Sequence, residues 1–153
     1  MTVRLSTALR NALAGTTGFG TTFVNGVISI YSGPQPLTAD SAASGTLLGT
    51  VTLNGGAFAA GSPTNGLVFD PPTAGTVPKA AGSVWKFTGL AVGTAGWFRL
   101  QGNAVDSGLA TTTLPRLDGS IGVSGADLNL SNISVVVGAP STVDVFQFTI
   151  PAQ

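Results

Sequence analysis

Short apolar runs separated by glycine, proline, asparagine and serine make up most of the chain, which is the pattern of strands and turns. Within many runs the apolar residues occupy every second position, as they do in a strand that packs one face on a core. The runs recur every ten to fifteen residues or so, roughly the rhythm of antiparallel sandwiches and barrels. We therefore predict an all-β fold, an antiparallel, jelly-roll-like β-sandwich of roughly eight strands with a short N-terminal α-helix. The candidate strands are residues 27–31, 47–53, 67–69, 84–90, 95–101, 116–123, 128–130, 133–137 and 143–150.

A helical period replaces this alternation near the N-terminus, where leucines recur every fourth residue and predict a helix over residues 5–14. A helix of three turns is not stable alone in water, so its leucine stripe must dock either on its own domain or on a neighbouring subunit. We divide the chain into an N-terminal helix or arm with its linker at residues 1–20 and a β-sandwich domain at residues 21–153. The leucines of the stripe are Leu5, Leu9 and Leu13.

Turn residues refine the prediction at three places. Asn54-Gly55 is a strong hairpin signal, because a type I′ turn needs positive φ at both central positions, and its return strand would pass through Phe58. Gly93 is a candidate for the turn between the strands at 84–90 and 95–101. Gly15 stands where a left-handed residue ends many helices.

The charge census excludes several functions. Six basic and six acidic residues among 153 give a formal net charge of +0, and the chain has no histidine and no cysteine. It therefore has no imidazole base, no thiolate nucleophile and no histidine or cysteine ligand for zinc or iron–sulfur clusters. Because there is no basic excess, we expect no nucleic-acid partner. No apolar run approaches the ~18 residues of a spanning helix, so we expect no membrane partner.

The remaining chemistry does not form a catalytic pattern. The acidic residues are all aspartates, and they are dispersed, with several beside turn residues as in Asp106-Ser107 and Asp118-Gly119. A role in turns explains this placement better than paired-carboxylate catalysis. Ser124 lies in a Gly-rich stretch, but no histidine is present to activate it. We predict no catalytic residue, no metal, no cofactor and no small-molecule substrate, and so no enzyme.

Aromatic residues offer contact chemistry instead. Trp97 alternates with Arg99 and Gln101, so we expect it to face outward as an interface anchor. An alternative is a carbohydrate-binding module that uses Trp85 or Trp97. The candidate interface residues are Leu5, Leu9, Leu13, Arg10, Trp97 and Arg99.

Four segments resemble small virion proteins of tailed bacteriophages. Together they span most of the chain. They are Leu5–Gly15 (LSTALRNALAG), Gly26–Asp40 (GVISIYSGPQPLTAD) running on to Gly45–Leu48 (GTLL), Ala95–Arg99 (AGWFR) and Pro115–Asp127 (PRLDGSIGVSGAD).

This resemblance implies a non-enzymatic structural protein of a phage particle. The implied role is a capsid cement or decoration protein that stabilises the head by bridging neighbouring capsomers, and a tail or tail-tip component is the alternative. Its implied partners are the major capsid protein and copies of itself, as a homotrimer. The implied location is the capsid surface of a virion, after synthesis in the bacterial host cytoplasm.

Overall fold

The computed structural model describes residues 3–151. These residues form mostly antiparallel β-sheet, with two short helices near the N-terminus. In chain order the elements are β1 (Arg4–Leu5), α1 (Thr7–Ala14), α2 (Phe19–Phe23), β2 (Val27–Ser32), β3 (Leu47–Leu53), β4 (Thr76–Pro78), β5 (Trp85–Thr88), β6 (Gly93–Gln101), β7 (Arg116–Gly122), β8 (Leu128–Asn129), β9 (Ser134–Val135), β10 (Pro140–Val143) and β11 (Gln147–Thr149).

Nine strands form one sheet, with β1-β7-β6-β2-β3-β5-β10 as its main path. β8 pairs with β7 and β9 pairs with β6, and among the strand pairs within residues 3–151 only β7–β8 is parallel. The remaining strands, β4 and β11, pair with each other. The predicted antiparallel, sandwich-like fold of many strands with an early helix is confirmed, while the jelly-roll connectivity stays a prediction.

The hydrophobic core lies between this sheet and a second layer. Ile28, Leu100 and Leu117 stand side by side in register on the core face of β2, β6 and β7, and all three are buried. From the second layer, which contains β4, β11 and α2, the Phe146 ring packs 5.9 Å from that of Phe98 and 5.5 Å from the Trp85 ring system. Burial of these large aromatic rings is a main source of stability for a chain of this size.

Local predictions differ from the structure at four places. The candidate strand at 67–69 does not form, because Leu67 and Phe69 make isolated bridges to Gly26 and Lys79 and extend no ladder. The run at 143–150 is not one strand, because its first part ends β10 on β5 and its last part forms β11 on β4. Gly93 is not in a turn; it begins β6 and pairs with Val135. Asn54 and Gly55 have the positive φ angles, 57° and 70°, that the turn prediction requires, but Phe58 lies outside any strand.

The helix prediction also needs two corrections. Leu5 belongs to β1, and the helix begins at Thr7, with buried Ser6 as its N-cap. Gly15 has φ −92°, so the expected left-handed end is wrong.

Candidate functional site

The second face of the β2–β6–β7 sheet is polar and buried, which the alternation of residues did not indicate. Ser29, Arg99 and Asp118 stand in register across it, with Gln101 beside Arg116 one step along. All five are buried, and we call them the polar layer. Loop segments 33–46 and 102–115 cover this face, as the contacts of Arg116 and Trp97 described below show.

Arg99 and Asp118 form a bidentate ion pair at the centre of the polar layer. Arg99 Nε and Nη2 each donate to one carboxylate oxygen of Asp118 at 2.7 Å, and both side chains are 0% exposed. Burial raises the pKa of Asp118, and the Arg99 guanidinium offsets part of that rise. Asp118 therefore lies in the middle of β7 as a structural counter-ion, and the interpretation of it as a turn residue is wrong.

Arg116 connects the polar layer to both covering loops. Its guanidinium forms a second ion pair with Asp106, and it also donates to the carbonyls of Ser41 at 3.3 Å and Leu109 at 2.8 Å. Burial raises the pKa of Asp106, but hydrogen bonds from Arg116 and Gln101 lower it by more. Asp106 also accepts the Gly108 amide at 2.8 Å, so the turn role expected for it holds as well.

Trp97 does not face solvent, so the expectation of an outward anchor is wrong. Its ring is 0% exposed and stacks on Tyr31 at 4.6 Å, while Nε1 donates to the Ser44 carbonyl at 3.3 Å. The fully buried Arg99 guanidinium lies 5.4 Å from the same ring. The physical reason is that the covering loop 33–46 closes over this face. Trp85 is also fully buried, so neither tryptophan presents a ring to a sugar.

The N-terminal arm, residues 3–14, docks on its own domain in this structure. Leu9 is 0% exposed and belongs to the core, while Leu5 and Leu13 are partly buried against it. Arg10 is exposed. Within residues 3–151 its side chain makes one hydrogen bond, in which Nη2 donates to Thr7 Oγ1 at 3.1 Å. Of the six candidate interface residues, Arg10 is therefore the one that lies on the open surface.

Polar contacts fix the arm at the start of α1. Ser6 Oγ accepts the amides of Leu9 at 3.1 Å and Arg116 at 2.9 Å, and it donates to the Leu114 carbonyl at 3.1 Å. The Thr7 amide and hydroxyl donate to the two carboxylate oxygens of Asp40, at 2.8 and 2.7 Å. Asp40 thus caps α1 from the covering loop 33–46. Burial raises the pKa of Asp40, but the bonds from Thr7 lower it by more.

Replacing Asp40 with alanine is expected to cost about 1 kcal/mol, the usual value of a lost helix cap. Because the pKa of Asp40 is lowered by folding, this stabilisation is present above the unfolded-state pKa of about 3.9 and is lost as the pH falls through the folded-state pKa. Urea unfolding at pH 7 and at pH 3 measures both effects. The exposed Asp144 provides the control, Asp144→Ala. Equal stability of the two variants at pH 7 would contradict the capping role.

A groove that sequence reasoning missed opens between the helices and the β4–β11 pair. We call it the apolar groove and define it by Leu13, Phe19, Val24, Phe148 and Ile150; its volume is about 440 Å³. The rings of Phe19 and Phe148 stack at 4.3 Å on its floor, while Val24 and Ile150 are 44% and 56% exposed at its rim. In the sequence, the alternation of Phe146, Phe148 and Ile150 was the only local indication of an apolar surface at this place. The opposite wall of the groove, formed by Leu13, Phe19 and Val24, comes from residues more than 100 positions away in sequence, so no local pattern could join the two walls.

Neither a search for metal-binding clusters and membrane-spanning helices nor a comparison with known proteins points to a function. Within residues 3–151, no three acidic side chains come together as metal ligands, and no helix has the length and apolar character needed to cross a membrane. A scan against protein-family models, a search of curated proteins and a search of solved structures each found no match.

Proposed function

We propose that this chain is a non-enzymatic structural subunit of a phage particle, a capsid cement protein that bridges neighbouring capsomers. The observation that carries the proposal is the distribution of charge. Of the twelve charged residues, six basic and six acidic, four form the ion pairs that Arg99 and Arg116 of the polar layer make with Asp118 and Asp106. The surface is left poor in charge and carries an open apolar groove, a combination that favours association.

The partners that we propose are the major capsid protein and copies of this chain, as a homotrimer. Burial of the apolar groove at a capsomer boundary would remove Val24, Phe148 and Ile150 from water. The free energy gained by burying apolar surface is roughly proportional to the area buried. Many modest contacts repeated over a capsid would therefore sum to a large stabilisation against the pressure of the packaged genome. The resemblance of the four sequence segments to small virion proteins supports this location.

Replacing Ile150 with aspartate tests the role of the groove. A charge in the groove must be desolvated at the interface, so we expect occupancy on particles to fall about tenfold or more, the effect of 1.4 kcal/mol or more. The measurement is co-sedimentation of purified protein with particles that lack it. Val92→Asp is the control, because Val92 is 74% exposed and lies outside the groove. Equal occupancy of Ile150→Asp and the control would remove the groove from the proposed interface.

A further inference from the structure

We propose that the N-terminal arm is exchanged between copies of this chain, so that the arm of one copy fills the arm site of another. This inference rests on the structural-subunit role proposed above. It makes that role more specific, because it names a second copy of the chain as the partner and the N-terminal arm as the segment that connects the two copies. The arm site is defined by Asp40, Leu114 and Arg116, together with the core position that Leu9 fills.

The arm site is built for this one occupant. Both carboxylate oxygens of Asp40 bond Thr7, and the Leu114 carbonyl and Arg116 amide both bond Ser6. An empty site would leave these groups without their partners and would open a cavity where Leu9 packs. The site therefore favours a bound arm, but nothing in its contacts depends on which copy supplies that arm.

The arm is also attached in a way that allows it to leave. β1 is the terminal strand of the main sheet path and pairs only with β7, so removing it breaks no other strand pair among the described residues. Arg4 on β1 reaches the carbonyls of Gln35 and Pro36 in the covering loop 33–46, which belongs to the same site. Every contact just described joins the arm to the body and would be kept in an exchanged pair.

The connector between the helices supplies the hinge. Residues 15–18 are all exposed, and the backbone amides of Thr16 and Thr17 donate no hydrogen bond to another backbone carbonyl within residues 3–151. Four extended residues span up to about 13 Å, so a straightened connector can carry α1 away from α2 toward a neighbouring body. An exchanged pair therefore has only a few contacts fewer than two separate copies. The main free-energy cost of exchange is the entropy lost when two copies associate, and a high local concentration of the chain reduces that cost.

Disulfide trapping in mixed samples tests the exchange. Leu5 lies directly opposite Leu117 in the β1–β7 pair, and opposite residues of an antiparallel pair have Cα atoms about 4.5–5.5 Å apart, within the range of a disulfide. The chain has no cysteine, so Leu5→Cys and Leu117→Cys place one thiol in each of two separate proteins. After the two are mixed at high concentration and oxidised, a covalent heterodimer on a non-reducing gel is expected.

Each single variant oxidised alone, at the same concentration, measures random cross-linking. The double variant Leu5→Cys/Leu117→Cys shows that the geometry accepts the bond. If Leu117→Cys fails to fold, Thr7→Cys mixed with Asp40→Cys repeats the test, and the double variant Thr7→Cys/Asp40→Cys then shows whether that pair can form a bond. No heterodimer above the single-variant background, with a double variant that does form its bond, would overturn the exchange. Failure of the wild-type chain to bind particles that lack it, with exchange intact, would instead overturn the proposed function.

Discussion

Replacing Asp118 with alanine is expected to destabilise the fold by about 3–5 kcal/mol, the usual cost of breaking a buried ion pair. The Arg99 guanidinium would remain fully buried without its counter-charge, and its Nη1 has no hydrogen-bond partner within residues 3–151 even in the intact protein. Both side chains are 0% exposed, and Trp97 and the covering loop 33–46 lie over the same face of the sheet. Urea unfolding at pH 7 measures the loss, as a shift of the midpoint at constant slope.

A double variant separates the charge effect from a loss of packing. Arg99→Met/Asp118→Leu removes both charges and keeps apolar volume, so it should recover most of the lost stability. Thr50→Ala, at a half-buried position opposite Ser29 on β3, gives the baseline for a polar substitution on the same face. If Asp118→Ala were no less stable than the double variant, the polar layer would not depend on its ion pair.

Replacing Leu9 with alanine is expected to cost about 2–5 kcal/mol, because the side chain is fully buried and its loss leaves a cavity between the arm and the core. Part of this cost should appear as local detachment of the arm. Hydrogen exchange of the α1 amides then rises more than that of the β2 and β6 amides, since local opening needs less free energy than global unfolding.

Two positions on the same helix serve as controls for Leu9→Ala. Leu13→Ala should cost less, because Leu13 is only partly buried, and Arg10→Ala should stay within about 0.5 kcal/mol, because Arg10 is exposed. If Leu13→Ala destabilised the protein as much as Leu9→Ala, the docking of the arm would not centre on Leu9.

The strands that could be predicted from sequence are those whose limits are set by neighbouring residues, through alternation within the strand and turn residues at its ends. Residues 47–53 form β3 with the bounds predicted, and the strand predicted at 27–31 ends one residue later. The turn-forming residues Asn54-Gly55 and the Gly33–Pro36 segment set these limits. The prediction of one strand at 143–150 failed because the choice of partner strand is not local: Val143 pairs with β5, while Gln147–Thr149 pair with β4.

The candidate site was harder to predict, because its residues meet only through the fold. Alternation along β6 assigns Trp97 and Arg99 to the face opposite Phe98, which is correct, but it cannot show that a distant loop covers that face. Asp118 pairs with Arg99 across two strands, so its position before a glycine was misleading. The apolar groove joins Leu13 to Ile150, and no sequence pattern links the two.

Counting this chain in purified particles tests the proposed role most directly. Particles made by the genome that encodes the chain would be analysed by quantitative peptide mass spectrometry, and a density map would locate a tagged copy. We expect many copies on the outer capsid surface, in a fixed whole-number ratio to the major capsid protein and at capsomer boundaries. A few copies confined to the tail would contradict the cement role, and absence from the particles would contradict a structural role in the virion altogether.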